Sequence, residues 1–161
     1  SNERIHNKYG FVTMRENYLT KDYFYWIFGQ RGSRLSDLPT GTQKKNLVIR
    51  FSGGPGVVGT MGALCQDPCS VEMDASDAGP RKSWFKQDLE NSALNHADLL
   101  YLDFPGSTGL SKCHAKIEPR NFESIKGDFA DFFSEFFRQN PKYEDYNLII
   151  RTESYGATLA T

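Results

Sequence analysis

Between residues 122 and 137, Phe122, Ile125, Phe129, Phe132, Phe133, Phe136 and Phe137 recur at spacings of three and four. That period lays one broad apolar stripe along a helix. Pro141 ends it, because proline has no N–H to continue the ladder. Gly127 inside the stripe lowers helix propensity only modestly. Elsewhere the pattern is that of strands. Residues 10–30 are rich in aromatic and β-branched positions, and polar residues near Arg15–Asn17 interrupt them, which predicts a hairpin. Leu47–Phe51 is a continuous apolar run apart from Arg50, and Ala97–Gly106 repeats the design of an apolar strand stopped by Pro and Gly. Leu148–Ile150 predicts a last strand, and the small residues of Tyr155–Thr161 predict the start of a helix. Residues 1–8 read as a polar arm and 31–46 as a loop. Residues 65–95 read as irregular, broken by Pro68, Asp74, Asp77, Gly79 and Pro80, with a short helical turn near Trp84–Leu89.

Buried strands separated by long crossovers predict an α/β protein: an N-terminal β-hairpin, then a mostly parallel sheet. A sheet that stopped at Ile150 would keep an uncovered edge, which natural folds usually avoid. The expectation is therefore that residues 1–161 are the amino-terminal part of a single domain that is incomplete here.

Composition narrows the field. The 161 residues suffice for one core, and 14% aromatics with twelve Phe point to packed structure. Lys and Arg total 19 against 20 Asp and Glu, so no charge imbalance suggests nucleic acid. Lys44–Lys45 and Arg81–Lys82 read as solvated loop pairs. No stretch approaches the roughly 20 apolar residues of a membrane span. No signal peptide opens the sequence, though a processed chain would show none. There is no Asn-x-Ser/Thr acceptor. Cys65, Cys69 and Cys113 form no metal-ligand spacing with histidine, and no cofactor motif is present. Their odd number leaves one unpaired within this chain or bonded to another, and a disulfide is expected somewhere in the set, Cys65 and Cys69 being close enough in sequence to bridge a loop around Asp67–Pro68.

Three strands each end in a glycine-rich loop, and sites in open parallel sheets gather at such ends. The last strand runs into Thr152-Glu153-Ser154-Tyr155-Gly156. A serine on a sharp strand-to-helix turn, with a small residue two positions on, is the pattern of a nucleophile elbow. The competing reading is a serine that only caps the helix. Ser52-Gly53-Gly54-Pro55-Gly56 follows another strand and could present backbone N–H groups to an oxyanion, or be a tight loop without a ligand. Asp103-Phe104-Pro105-Gly106-Ser107-Thr108-Gly109-Leu110-Ser111 forms the third loop.

Together these blocks resemble the serine carboxypeptidases, acid-active enzymes of the α/β-hydrolase fold. Ser52–Gly56 is similar to their Asn-Gly-Gly-Pro-Gly loop, and Asp103–Ser111 to their Asp-x-Pro-Val-Gly-x-Gly-Phe-Ser block. Thr152–Ala157 is nearer the Ser-Glu-Ser-Tyr-Gly-Gly form of the retinoid-inducible and vitellogenic-like branch, which the hairpin also resembles. The resemblance implies Ser154 as nucleophile and the N–H groups of Gly54 and Tyr155 as oxyanion donors. It implies Glu153, Gly53, Ser52 and the position of Gln66 as the binding site for the terminal carboxylate of a peptide. It also implies a secreted or lysosomal/vacuolar location and no cofactor. Ser52 stands where the family has Asn, Gln66 where it has a second glutamate, and Gly106 where it has Val.

The order of the triad in this fold is Ser, then Asp, then His. Both partners would lie beyond residue 161, on a continuation or a second chain. Of the three histidines, His6 lies in the arm and His96 at the amino end of a strand. His114 alone follows a carboxyl-end loop. Without a base a serine hydroxyl is a weak nucleophile. Three readings follow: a serine carboxypeptidase completed by a missing segment, an inactive relative with a binding or structural role, or an acyltransferase using the same serine.

Overall fold

The computed structural model describes residues 5–37, 44–73 and 83–160. The start of the polar arm, the loop segment 38–43, the irregular residues 74–82 with Arg81–Lys82, and Thr161 lie outside the described residues.

The hairpin is β1 (Asn7–Glu16) and β2 (Leu19–Phe28), antiparallel with Glu16 opposite Leu19. Asn17 turns the chain at φ 57, a conformation asparagine tolerates better than most residues. Next come β3 (Asn46–Phe51) and a short helix, α1 (Met61–Cys65). A separate antiparallel ribbon follows, β4 (Cys69–Met73) with β5 (Ser83–Gln87). Then come β6 (Asp98–Leu102), β7 (Lys112–Cys113), α2 (Phe122–Gln139), β8 (Asn147–Thr152) and α3 (Tyr155–Leu159).

The short helical turn expected near Trp84–Leu89 is the strand β5 instead. Its conformation is set by pairing with β4, from Cys69 opposite Gln87 to Met73 opposite Ser83. A run this short takes whatever state its partner offers.

The main sheet has the order β1-β2-β6-β3-β8, with β7 pairing to β2. β6, β3 and β8 are parallel, while the hairpin and β7 contribute antiparallel pairings, so the sheet is mixed. Side-chain alternation sorts each strand between two cores. Leu47, Ile49, Phe51, Leu100 and Leu102 join Ile125, Phe132 and Phe136 of α2 on one face. Val48, Leu99 and Tyr101 join Ala63 of α1 and Leu94 on the other. α2 begins at a capping box in which the Ser124 N–H donates to Asn121 Oδ1 at 2.9 Å and Ser124 Oγ accepts from the Asn121 N–H at 3.2 Å. Where α2 crosses the hairpin, buried Asp128 accepts from Lys21 Nζ at 2.6 Å and from the Tyr23 hydroxyl at 2.5 Å. Both carboxylate oxygens are thereby satisfied, which a buried charge requires.

No disulfide forms: Cys65, Cys69 and Cys113 are all free thiols. Cys65 is exposed at the end of α1, Cys69 opens β4 and Cys113 sits on β7 against the hairpin, so each belongs to a different element. Burial pushes the Cys113 thiol up to about 11, a hydrogen bond with Tyr23 pulling the other way. Burial, then the charge of Asp67, raises that of Cys69.

At the open side of the sheet, β8 leaves Leu148, Ile149 and Ile150 exposed at 48%, 45% and 42%.

Candidate active site

Because β6, β3 and β8 run parallel and adjacent, their carboxyl ends bring the three glycine-rich loops to one rim of the sheet. At the end of β8, Ser154 has φ 53 and ψ −130. Positive φ is rare for a residue with a side chain and stores backbone strain. Ser154 stands at the N-cap of α3, yet its side chain makes no capping hydrogen bond. Its Oγ has no hydrogen-bond partner among the described residues.

Two close approaches hold this turn. A Cβ built on Gly53 would lie 2.8 Å from Glu153 O, 2.8 Å from Ser154 Cβ and 3.0 Å from Tyr155 N. Only glycine lets the loop after β3 rest against the elbow. A Cβ on Gly156 would overlap Thr152 Oγ1, so α3 can follow β8 this closely only without a side chain there. Thr152 turns its hydroxyl into the sheet, donating to Phe51 O at 3.0 Å. Among the described residues, the backbone N–H groups of Gly54 and Tyr155 have no acceptor.

The residues singled out from the sequence assemble around this turn. Ser52, Gln66 and Glu153 line one recess beside the elbow, with Arg50, Tyr101 and Arg151. Gln66 caps the C-terminus of α1 and its Oε1 accepts from Arg50 Nη2 at 2.6 Å. Tyr155 borders a different hollow on the far side of the elbow, with Pro55, Gly56, Pro105 and Thr108.

Asp103 is the pivot that pattern reading missed. It is fully buried and accepts from Thr60 N at 2.8 Å, Thr60 Oγ1 at 3.0 Å and Leu110 N at 3.0 Å. It thus ties the start of α1 to the loop after β6. Glu118 braces the same loop, accepting from Ser107 N at 2.7 Å and Ser107 Oγ at 3.0 Å. Arg50 was legible only as a break in an apolar run, and nothing local in the sequence marked Arg151.

The histidines stand apart. His96 follows the 3-10 turn Ala93–Asn95 and precedes β6, at the opposite end of that strand from the loops. His114 is tied to the hairpin, its N–H donating to Thr20 O at 3.1 Å, and it lines neither recess beside the elbow. His6 lies before β1, its carbonyl accepting from the Gly29 N–H. No described histidine or aspartate hydrogen-bonds Ser154, so no triad is present among the described residues. No group of three His, Cys, Asp or Glu among them could hold a metal ion.

The family model described as serine carboxypeptidase matches residues 2–160. The pheromone-processing carboxypeptidase of Saccharomyces cerevisiae is 29% identical over 144 residues, covering 84% of this chain and 18% of that protein. Its namesake in Zygosaccharomyces rouxii is 31% identical over 139 residues, with the same coverage. A carboxypeptidase of Schizosaccharomyces pombe is 27% identical over 122 residues, covering 74% of this chain and 22% of that one. The chain therefore spans about a fifth of the length of these curated relatives.

Proposed function

The chain belongs to the serine carboxypeptidase family, and we propose that it supplies the nucleophile and oxyanion donors of a serine-type carboxypeptidase that releases C-terminal amino acids from peptides. The observation that carries this reading is Ser154 itself: a non-glycine residue at φ 53 whose hydroxyl caps nothing. A serine serving only as a helix cap would bond the first turn, and it would have no need of strain.

In this reading Ser154 Oγ attacks the carbonyl carbon of the last peptide bond. Its proton passes to a histidine supplied by a segment outside these residues, with an aspartate orienting that histidine. The N–H groups of Gly54 and Tyr155 receive the oxyanion. The C–N bond then breaks, the histidine protonates the leaving amine, and water hydrolyses the acyl-serine. Ser52, Gly53, Glu153 and Gln66 hold the terminal carboxylate. Glu153 and the terminal carboxylate can share a hydrogen bond only when one of the two carboxyls holds a proton. The Thr152–Ala157 block supports membership of the retinoid-inducible and vitellogenic-like branch, and the family match supports a secretory or lysosomal/vacuolar destination.

The test uses the protein purified with the polypeptide that supplies Asp and His. A serine-directed fluorophosphonate should label Ser154, and mass spectrometry should show amino acids leaving peptide C-termini. Absence of labelling sinks the enzyme reading and leaves the second one, an inactive relative with a binding or structural role. Ser52, Gln66 and Gly106, which stand where the family has Asn, Glu and Val, keep that second reading open. Labelling with acyl transfer but no amino-acid release makes the protein an acyltransferase.

A further inference from the structure

Arg50 and Arg151 have no part in the chemistry above, yet they stand next to it. They are register partners on β3 and β8. Both line a recess of about 230 Å³ whose other walls include Ser52, Gln66, Tyr101 and Glu153. Strand alternation puts Arg50 on the face of Ser52, and Arg151 on the face of Glu153. The two arginines thus lie one side-chain step, about 6.6 Å, below the loop ends.

Arg50 is fixed in place. Its Nη1 donates to the Tyr101 hydroxyl at 3.1 Å and its Nη2 to Gln66, and its guanidinium carbon lies 5.5 Å from the Tyr101 ring centroid. Arg151 is exposed, and its guanidinium has no hydrogen bond or ion pair with any described residue. Arg50 has no ion pair among the described residues either. The fields of both reach Tyr101, where they oppose the burial that pushes its phenol up to about 12.

Like charges directly opposite on paired strands are destabilising. The nearby carboxylates are otherwise engaged or peripheral. Asp67 accepts from the Ser92 hydroxyl and from Ala93 N at 3.0 Å. Asp88 accepts from Glu90 N at 3.3 Å. Glu153 is exposed at the mouth and has no ion pair among the described residues. The doublet is left facing open space with unused donors.

We propose that Arg50 and Arg151 form a subsite for the side-chain carboxylate of a peptide whose last residue is Glu or Asp. The proposal rests on the carboxypeptidase reading, because Ser52, taken there to hold the terminal carboxylate, lines the same recess as the doublet. Arg50, braced by Tyr101 and Gln66, is the fixed half of the clamp. Arg151 is the half that closes on the ligand. Two guanidinium forks on one carboxylate are charge-assisted and directional.

Two peptides identical except for a terminal Glu or Gln provide the test, since the side chains are isosteric and differ in charge. Binding is measured by calorimetry to the Ser154→Ala protein with its completing polypeptide, so no turnover is needed. The Glu peptide should bind about tenfold tighter. Arg151→Gln should bring the ratio close to one, and Arg151→Lys should retain part of it. Equal binding, no binding of either peptide, or a Glu preference that survives Arg151→Gln overturns the subsite. Hydrolysis by the protein with Ser154 intact is a separate readout. Equal release of Glu and Gln removes the subsite and leaves the carboxypeptidase. A lasting Glu preference in binding without any release removes the carboxypeptidase and leaves the subsite.

Discussion

Ser154 keeps its unusual backbone because its neighbours leave no room for relaxation. Gly53 presses on the elbow from the loop side, and Gly156 lies against Thr152 and Phe51 from the helix side. Gly156→Ala should therefore destabilise the protein by about 1–3 kcal/mol, read as a lower urea midpoint. In a Thr152→Ala background the same change should cost less, because the atom it strikes is gone. A cost unchanged by Thr152→Ala would mean the clash is elsewhere. A second residue-scale expectation concerns Cys113. Its thiol is raised from 9.0 to about 11 in the folded protein, so the folded state keeps the proton longer than the unfolded one. Its contribution is intact below pH 9 and falls away as pH rises toward about 11. Alkylation at pH 8 should modify exposed Cys65 first and Cys113 last, and equal rates would contradict the shift. Ser154 was legible in the sequence because Gly156 and the preceding strand announce a tight turn. Arg50 and Arg151 were not, because a hundred residues separate them and only the β3–β8 register sets them side by side.

Among the elements, α2 was readable in full, and its energetics follow from the stripe that revealed it. Phe132 is fully buried, with its ring 5.9 Å from Phe136 and edge-on to Tyr23 at 6.3 Å. Phe132→Ala should cost about 3–5 kcal/mol in denaturant unfolding. Asn121→Ala, which removes one half of the capping box, should cost about 1 kcal/mol. If the two losses were equal, α2 would be held by its cap and not by its packing. The ribbon β4–β5 and the helix α1 were not readable for opposite reasons. β5 carries too few residues to declare a period and takes its state from β4. α1 is a five-residue helix with no side-chain cap, held at its start because Thr60 is bonded to Asp103. Such an element is dictated by a contact 43 positions away, and no local pattern can encode it.

For the whole molecule, the order of strands matters more than their identity. The expectation of a parallel sheet holds for β6–β3–β8, which converges the three loops, while the hairpin makes the remainder antiparallel. The cost of that arrangement falls on β8. Among the described residues it pairs only with β3, and Leu148, Ile149 and Ile150 stay exposed although successive residues point to opposite faces. Both faces of this strand are thus about half exposed, and its outer edge has unpaired N–H and C=O groups among the described residues, which favours edge-to-edge association. The chain expressed by itself should show concentration-dependent association in sedimentation velocity. Ile149→Lys and Ile150→Lys, one charge on each face, should reduce it while changing stability by less than about 0.5 kcal/mol. A monodisperse unsubstituted chain would count against this. The same substitutions separate two roles for the edge. If the polypeptide that brings the histidine to Ser154 also pairs with β8, they should weaken its capture and abolish fluorophosphonate labelling together. If that polypeptide docks elsewhere, association of the isolated chain should fall while labelling of the completed protein persists.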